Sequence, residues 1–412
     1  MSRNRKTLNA STTDAAIVRT VELPIVELSG RRNSQHPWIY RKMCRPATHA
    51  SGTLVEVRDR DGNFVGRGIY NRKSQIALRL LTEAATQPLD VPYLEQLLDR
   101  AVRFRRGELK LDASTNAYRV VHSEGDGLSG LVVDRFAEFA VIELFSAGWF
   151  RQLKWLIPAL ARRLDDATVL VRADRRVEEL EGFRVRDFTA ERLGAERLRT
   201  TVREHGLEFR VDLWHGHKTG FFCDQRPHRL RVRALAAGRR VLDGCCYSGG
   251  FALNAAHGGA TRVTAIDLDE KAVAVAIANA KLNRLAVDFQ HADLYDFLRA
   301  AHASRTHFDL IILDPPKFAA SRKDVAAALK RYHDLNQLAF RVLDRRGTLV
   351  TCSCSGAVSD VRFRGVIVDA ARAAGVAMRI VEPEAADAGP DHPARAEFPE
   401  GRYLKVYTCE RG

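Results

Sequence analysis

The 412-residue chain is 46 % hydrophobic and 28 % charged, a balance that supports two or three packed domains and excludes both a disordered chain and a membrane-embedded one. Its 65 Lys and Arg against 51 Asp and Glu leave a formal charge of +14, which attracts polyanions such as nucleic acid, although a solvated arginine-rich surface carries the same excess. The seven cysteines show no paired CxxC spacing, the first residues lack the apolar core of a signal peptide and no apolar run reaches membrane length, so a reduced, cytoplasmic protein without a metal site is expected.

Residues 1–20 are polar, basic and rich in Ser and Thr, and read as a disordered extension. From 21 to 90 the runs are short and alternating. In TLVEVRDRDGNFVGRGIYN (53–71), Asp61-Gly62 sits where a hairpin turn belongs, so this part is expected to be a small β-rich domain. VPYLEQLLDRAVRFRRGEL (91–109) and FRQLKWLIPALARRL (150–164) have helical spacing, and the strand-like runs YRVVHSE, GLVVDRF, FAVIELF and TVLVRAD accompany them. Residues 91–195 therefore read as an α+β middle domain. LRTTVREHGLEFRVDLW (198–214) is a hairpin pattern turning at His205-Gly206 and leads into the last domain, 196–412. There RVLDG, TAIDLDE, FDLIILDPP and TLVTCSC alternate with helical stretches after Gly250 and through KAVAVAIANAKLN. Such alternation predicts a parallel sheet with helices on both faces, which binds ligands beyond the carboxyl ends of its strands.

The first of those ends, VLDGCCYSGGF (241–251), passes from an apolar strand through a glycine-containing turn into a helix. It is neither a GxGxxG dinucleotide fingerprint nor a P-loop, since Gly250 stands where the P-loop needs its lysine. The next strand ends at Asp267, where a carboxylate can accept bonds from both ribose hydroxyls, and Asp293 follows the strand after that. Singly, each acid reads as a helix N-cap and each glycine as a turn. Jointly, the order of Gly turn with Asp243, ribose acid and adenine-side acid resembles the class I methyltransferase fold, whose cofactor is S-adenosylmethionine.

FDLIILDPPKF places Asp314, Pro315, Pro316, Lys317 and Phe318 just past a buried strand. The prolines stiffen the backbone and remove N–H groups, so the acid is held outward, and Phe318 is placed to stack on a base. A DPPY-like tetrad suits methylation of exocyclic amines. The next strand, however, ends in TCSCSG (351–356), which brings a thiol to the same rim. Carbon 5 of cytosine is a poor nucleophile until a thiolate adds at carbon 6, so a cysteine beside a methyl donor is what carbon methylation needs. Cys352 and Cys354 share one face of a period-2 strand, so spacing leaves both open, as it leaves open that they are small core residues.

Seven motifs in order give a closer likeness: HPWIY (36–40), EGDGLSGLVVDR (124–135), KTGFFCDQR (218–226), YSGGF (247–251), DPPKF (314–318), SCSG (353–356) and PEGRYLK (399–405). From about residue 21 onward the chain resembles the bacterial 23S rRNA cytosine-5 methyltransferase family. The resemblance implies an N-terminal PUA-like RNA-binding domain, an α+β middle domain, a Rossmann-like methyltransferase domain, a 23S rRNA or ribosomal-subunit partner, and homodimers. It implies cofactor contacts from Asp243, Tyr247, Gly249, Gly250, Asp267 and Asp293, with Gln225 and Arg226 lining the cofactor or base pocket. It places the nucleophile at Cys354, Asp314 near the cytosine ring with Lys317 beside it, and the base against Pro315, Pro316 and Phe318. Cys352 stands where an aromatic residue is expected, and a TC pair marks the nucleophile in another branch of RNA cytosine methyltransferases, so Cys352 is the rival. Two other readings stand beside this one: methylation of an exocyclic amine of guanine or adenine through DPPKF, and a non-catalytic RNA-binding ribosome-assembly factor.

Overall fold

The computed structural model describes residues 22–185, 193–213, 220–382 and 384–412. The polar segment expected to be disordered lies outside them, as do Lys218 and Thr219 of the KTGFFCDQR run. Short alternating strands make the first layer: β1 (Ile25–Glu27), β2 (Trp38–Tyr40), β3 (Thr53–Arg58), β4 (Phe64–Tyr70) and β5 (Ile76–Thr82), in the order β1-β3-β4-β5-β2. The β3–β4 turn forms because the Asp59 carboxylate accepts the backbone N–H groups of Asp61 and Asn63, both at 2.9 Å, while Gly62 takes a left-handed φ of +83°. Val55 and Val57, two residues apart, are both fully buried beneath it.

Helix α1 (Val91–Arg103) starts where the Asp90 side chain caps the Tyr93 N–H and Pro92 occupies the first turn. Its Leu94, Leu97, Leu98 and Ala101 are buried in one core with β6 (Ala117–His122), β7 (Leu131–Phe136), β8 (Phe139–Leu144), α2 (Ala147–Arg163) and β9 (Thr168–Arg172). These four strands form a second sheet in sequence order, with β9 parallel to β8 across the α2 crossover. Ile69 and Leu81 of the first sheet belong to the same core, so the two layers share one apolar interior. After α3 (Arg175–Glu181) comes the hairpin β10 (Arg199–Glu204) and β11 (Leu207–Asp212), which turns at His205 and Gly206, both with positive φ. Its Val202, Leu207, Phe209 and Val211 meet Phe136 and Phe139 on one side and Leu253 and Ala280 on the other, making the hairpin a wedge between middle and last domains.

The last domain holds α4 (Arg226–Leu235), β12 (Arg240–Gly244), α5 (Gly250–His257), β13 (Arg262–Asp267), α6 (Glu270–Asn283), β14 (Asp288–His291) and α7 (Leu294–Ala303). It continues with β15 (Phe308–Leu313), α8 (Val325–Val342), β16 (Leu343–Ser353), α9 (Asp360–Ala373), β17 (Met378–Ile380) and β18 (Lys405–Arg411). Its sheet has the order β14-β13-β12-β15-β16-β18-β17, with the direction of winding reversing between β12 and β15. Alternate residues of β15 feed opposite cores: Ile311 and Leu313 join α7, α8 and α9, while Leu310 and Ile312 join α4 and α5. The sheet departs from the expected parallel arrangement at one edge. β18 runs antiparallel to both β16 and β17, because the chain between β17 and β18 has no crossover helix among its described residues.

That connection, residues 384–404, ties the three layers together. The fully buried Asp391 accepts the Arg226 guanidinium at 2.6 Å and the Arg119 N–H at 3.0 Å, and its carbonyl accepts Arg105 at 2.7 Å. Arg105, also fully buried, grips both oxygens of Asp126 at 2.6 and 2.9 Å. Farther along, Phe398 packs edge-on to Trp38 of the first sheet, with ring centres 4.8 Å apart. Burial pushes the Asp391 carboxyl up, but His392 and Arg226 prevail and hold it well below the usual range. A depressed folded value makes its ionic contribution complete above the unfolded value near 4, and the contribution disappears only as the pH falls through the lower folded value. Asp391→Ala would leave Arg226 as an uncompensated buried cation, and is expected to cost about 3–5 kcal/mol, read as a drop in the urea midpoint at neutral pH that narrows under strong acid.

Candidate active site

The turn after β12 is built under backbone strain. Cys245, Tyr247 and Gly249 all have positive φ, at +64°, +47° and +84°, and two of the three are not glycine. The strain is held by neighbours: Tyr247 N–H donates to Asp267 Oδ2 at 2.7 Å, Cys246 N–H to the Ile266 carbonyl at 2.9 Å, and Ala252 N–H to Asp243 Oδ2 at 2.8 Å. At Gly244 a Cβ would lie 2.7 Å from Leu294 Cδ2, so any side chain there would require Leu294 to move. The Tyr247 ring stands edge-on to Phe222, centres 5.3 Å apart, which brings the 220–226 segment over the turn, and Gly250 opens α5.

The acids expected at this rim have structural employment as well. Asp267 Oδ1 accepts the Asp269 N–H at 2.9 Å, and Asp293 Oδ1 caps α7 through Tyr295 and Asp296, so the plain N-cap role holds for Asp293. Asp267 Oδ1 keeps a second lone pair for a ligand, whereas Asp293 Oδ1 already accepts two N–H groups and leaves that residue only its other oxygen for one. Asp243 differs: it is fully buried and its Oδ1 has no hydrogen-bond partner in the structure. Burial, with the charges of Asp314 and Asp267 adding to it, pushes this carboxyl up to about 8. Cys245 is pushed up by burial and then by Asp267, Asp314, Asp243 and Asp293, which places all four carboxylates around one thiol. An acidic basin with an orphaned carboxylate oxygen fits a ligand that carries positive charge, as the sulfonium and ammonium groups of S-adenosylmethionine do.

Across the basin, the Asp314 N–H donates to the Gly244 carbonyl at 3.2 Å, and Gln225 Nε2 donates to Asp314 Oδ1 at 2.9 Å. Pro315 is buried, Pro316 and Lys317 are exposed, and Phe318 is half-buried. The Phe318 ring leans on Tyr332, centres 4.8 Å apart, with the Arg331 guanidinium 5.7 Å above it. Gln225 thus reaches the rim, whereas Arg226 does not line a cofactor or base pocket as expected. Its guanidinium is buried against Asp391 and the Ala117 carbonyl, where it joins two domains.

The two cysteines, indistinguishable by spacing, have different surroundings. β16 ends at Ser353, so Cys354 leaves the alternation and lies half-buried just past the strand, while Cys352 is fully buried opposite Val406 of β18. Burial, reinforced by the charge of Asp314, pushes the Cys352 thiol well above its ordinary value. Cys354 is bracketed by two anchored serines. Ser353 Oγ donates to Tyr332 Oη at 3.0 Å, Ser355 Oγ lies 3.0 Å from the same oxygen, and Ala319 N–H donates to Ser355 Oγ at 3.1 Å. Tyr332, fully buried in the middle of α8, therefore locks the SCSG loop to the DPPKF loop. Sequence reasoning missed it, because in sequence it is one more apolar position on a helix. Lys405 was quoted only within the tail motif, yet its ammonium donates to the Ser355 and Tyr403 carbonyls at 3.0 and 2.9 Å. Among the described residues no cluster of metal-ligating side chains occurs, and no helix is long and apolar enough to cross a membrane.

This geometry coincides with sequence likeness over most of the chain. The S-adenosylmethionine-dependent methyltransferase family matches residues 124–396 and a PUA-like domain matches residues 30–83, and the chain belongs to the S-adenosylmethionine-dependent methyltransferases. Its cofactor is S-adenosylmethionine, and its fold is Rossmann-like with a PUA-like N-terminal domain. Proteins named ribosomal RNA large subunit methyltransferase I from Escherichia coli strains SMS-3-5 and K12 are each 35 % identical to it over 395 residues, spanning 93 % of this chain and 98 % of theirs. A methyltransferase solved as a complex with SAH aligns with a TM-score of 0.78 at 20 % identity, over 95 % of this chain and all of that one. A structure described as a SAM-dependent methyltransferase from Streptococcus mutans gives 0.76 at 19 % identity, over 94 % of this chain and all of that one. None of these bears on the homodimer that the motif resemblance implied.

Tyr332→Phe removes the hydroxyl shared by Ser353 and Ser355 and is expected to cost about 1–3 kcal/mol of stability. In steady-state kinetics it should lower kcat while leaving cofactor affinity close to that of the parent. For Asp243 the sign is the reverse of that for Asp391. Its folded value of about 8 lies above the unfolded one near 4, so its contribution to stability is complete only below pH about 4 and is lost as the pH rises through about 8. Asp243→Asn should therefore gain stability relative to the parent as the pH is raised across that window, measured by urea unfolding at successive pH values.

Proposed function

We propose that this protein methylates carbon 5 of a cytosine in the 23S RNA of the large ribosomal subunit, with Cys354 as a covalent nucleophile. The observation that carries the reading is the unequal placement of the two thiols: Cys354 is half-buried in a loop joined to that of Asp314, while Cys352 is sealed in the sheet. The names of the Escherichia coli relatives support the choice of large-subunit RNA. Asp243, Tyr247, Gly249, Gly250, Asp267, Asp293 and Gln225 would hold the cofactor, which supplies an electrophilic methyl group when bound.

In this mechanism a flipped cytosine enters beside Phe318, on the floor made by Pro315 and Pro316. Cys354 attacks carbon 6 as the thiolate, forming the C–S bond and pushing the electron pair of the C5–C6 double bond toward carbon 5, which becomes the nucleophile. Asp314, held by Gln225, hydrogen-bonds the ring while negative charge develops there, and exposed Lys317 stands beside it. Once carbon 5 is methylated, its proton departs to a base, and the C–H pair re-forms the double bond as Cys354 leaves as thiolate. The PUA-like domain and the basic surface supply RNA affinity that weakens with salt.

Cys354→Ala is expected to abolish methyl transfer with cofactor binding intact, while Cys352→Ala retains most activity. Mass mapping of ribosomal RNA with and without the gene should show the loss of one 5-methylcytosine. Loss of a methylated guanine or adenine, with full activity in Cys354→Ala, would replace this reading by exocyclic-amine methylation.

A further inference from the structure

Lys405 opens β18, where its register partner is Ser353, the residue immediately before Cys354. Its side chain then crosses to the other flank of the thiol, donating to the Ser355 carbonyl at 3.0 Å and back to the Tyr403 carbonyl at 2.9 Å. The residue is 5 % exposed, and no carboxylate lies within ion-pair distance of the ammonium among the described residues. An ammonium has three donors, and these two carbonyls take two of them. Neutral carbonyls satisfy hydrogen bonds but do not neutralise a buried cation, which calls for an anion nearby.

We infer that Lys405 is a positioning residue for catalysis: its ammonium, fixed to the carbonyl of Ser355 beside Cys354 and to that of Tyr403, keeps that sulfur ionised and aimed at the substrate. The inference rests on the proposed role of Cys354 and adds the reason why a half-buried thiol on the rim of an acidic basin can attack at neutral pH. The thiol proton passes to water and the ammonium keeps its own three protons, so Lys405 is neither acid nor base in the reaction. Among the described residues, ionisable groups that face the pair include Asp360 of α9, Asp387 of the 384–404 connection, Lys317 of the DPPKF loop, Tyr332 of α8 and Cys352 of β16. Burial dominates and leaves the Lys405 ammonium below its ordinary value, with the charge of Cys354, ahead of those of Asp360 and Asp387, opposing it. Without such a cation, burial and the basin carboxylates would push a nearby thiol up, as burial first and those carboxylates after it push Cys245.

The test is the pH dependence of alkylation at Cys354, followed with iodoacetamide on the full-length protein without RNA and read by mass spectrometry of the peptide containing it. In the parent chain the midpoint is expected below the ordinary thiol value near 8.5. Lys405→Met should move it up by about one unit, slowing alkylation at neutral pH about tenfold, and Lys405→Arg should restore it. A folded Lys405→Met protein whose Cys354 titrates as in the parent would overturn the inference. If that variant does not fold, the parent measurement decides alone: a midpoint at or above 8.5 overturns it and a lower one supports it. Full methyl transfer by Cys354→Ala together with a depressed midpoint would refute the nucleophile reading while leaving the Lys405–Cys354 coupling standing, so the two failures are distinguishable.

Discussion

The carboxylate of Asp391 is the constraint on which the rest of the architecture hangs. It sits fully buried, and its partners come from different places: Arg226 at the start of the methyltransferase domain, the Arg119 backbone in the middle sheet, and Arg105 behind α1 through the neighbouring carbonyl. Desolvating these charges is costly, and the arrangement persists because every partner is in place at once. One outcome is mechanical. Arg226 is anchored, so the preceding Gln225 is fixed as well, and its amide meets Asp314 at the rim. The relation between the layers and the placement of Asp314 at the rim are therefore set by one knot of charge.

A second contrast organises the surface. The chain as a whole carries +14, suited to a polyanionic partner, yet the basin at the ends of β12 to β15 gathers Asp243, Asp267, Asp293 and Asp314. The two fields serve different molecules, because the methyl donor is a cation at its reacting centre and RNA is a polyanion. Cys354 and Lys405 lie where these fields meet, and Lys317 is exposed on the adjoining loop.

Much of this was legible in the sequence wherever a residue acts through its immediate neighbours. The Asp61-Gly62 and His205-Gly206 turns arise from local stereochemistry, and they, the β12 turn and the Asp314 loop form where the pattern placed them. What escaped depends on partners distant in sequence. Arg226 adjoins Gln225 in the chain, but a carboxylate at 391 claims it. Tyr332 reads as a core aromatic until two serines some twenty residues later converge on its hydroxyl. The antiparallel β18 had no signature, because a short apolar run does not encode the direction in which it will pair. Period-2 reasoning also misplaced the cysteines, since it assumed that the strand continued through Cys354 when it stops one residue earlier.

The insertion of β18 between β16 and β17 bears on how the molecule is made. Synthesis delivers β16 well before β18, so until residues 405–411 emerge, β16 presents an open edge of unpaired N–H and C=O groups next to the Cys354 loop. Lys405 arrives with that same strand. Under the proposed mechanism, sealing the exposed edge is therefore the same event that brings Lys405 to Cys354. This edge is thus the place where an incomplete chain is most prone to pair wrongly.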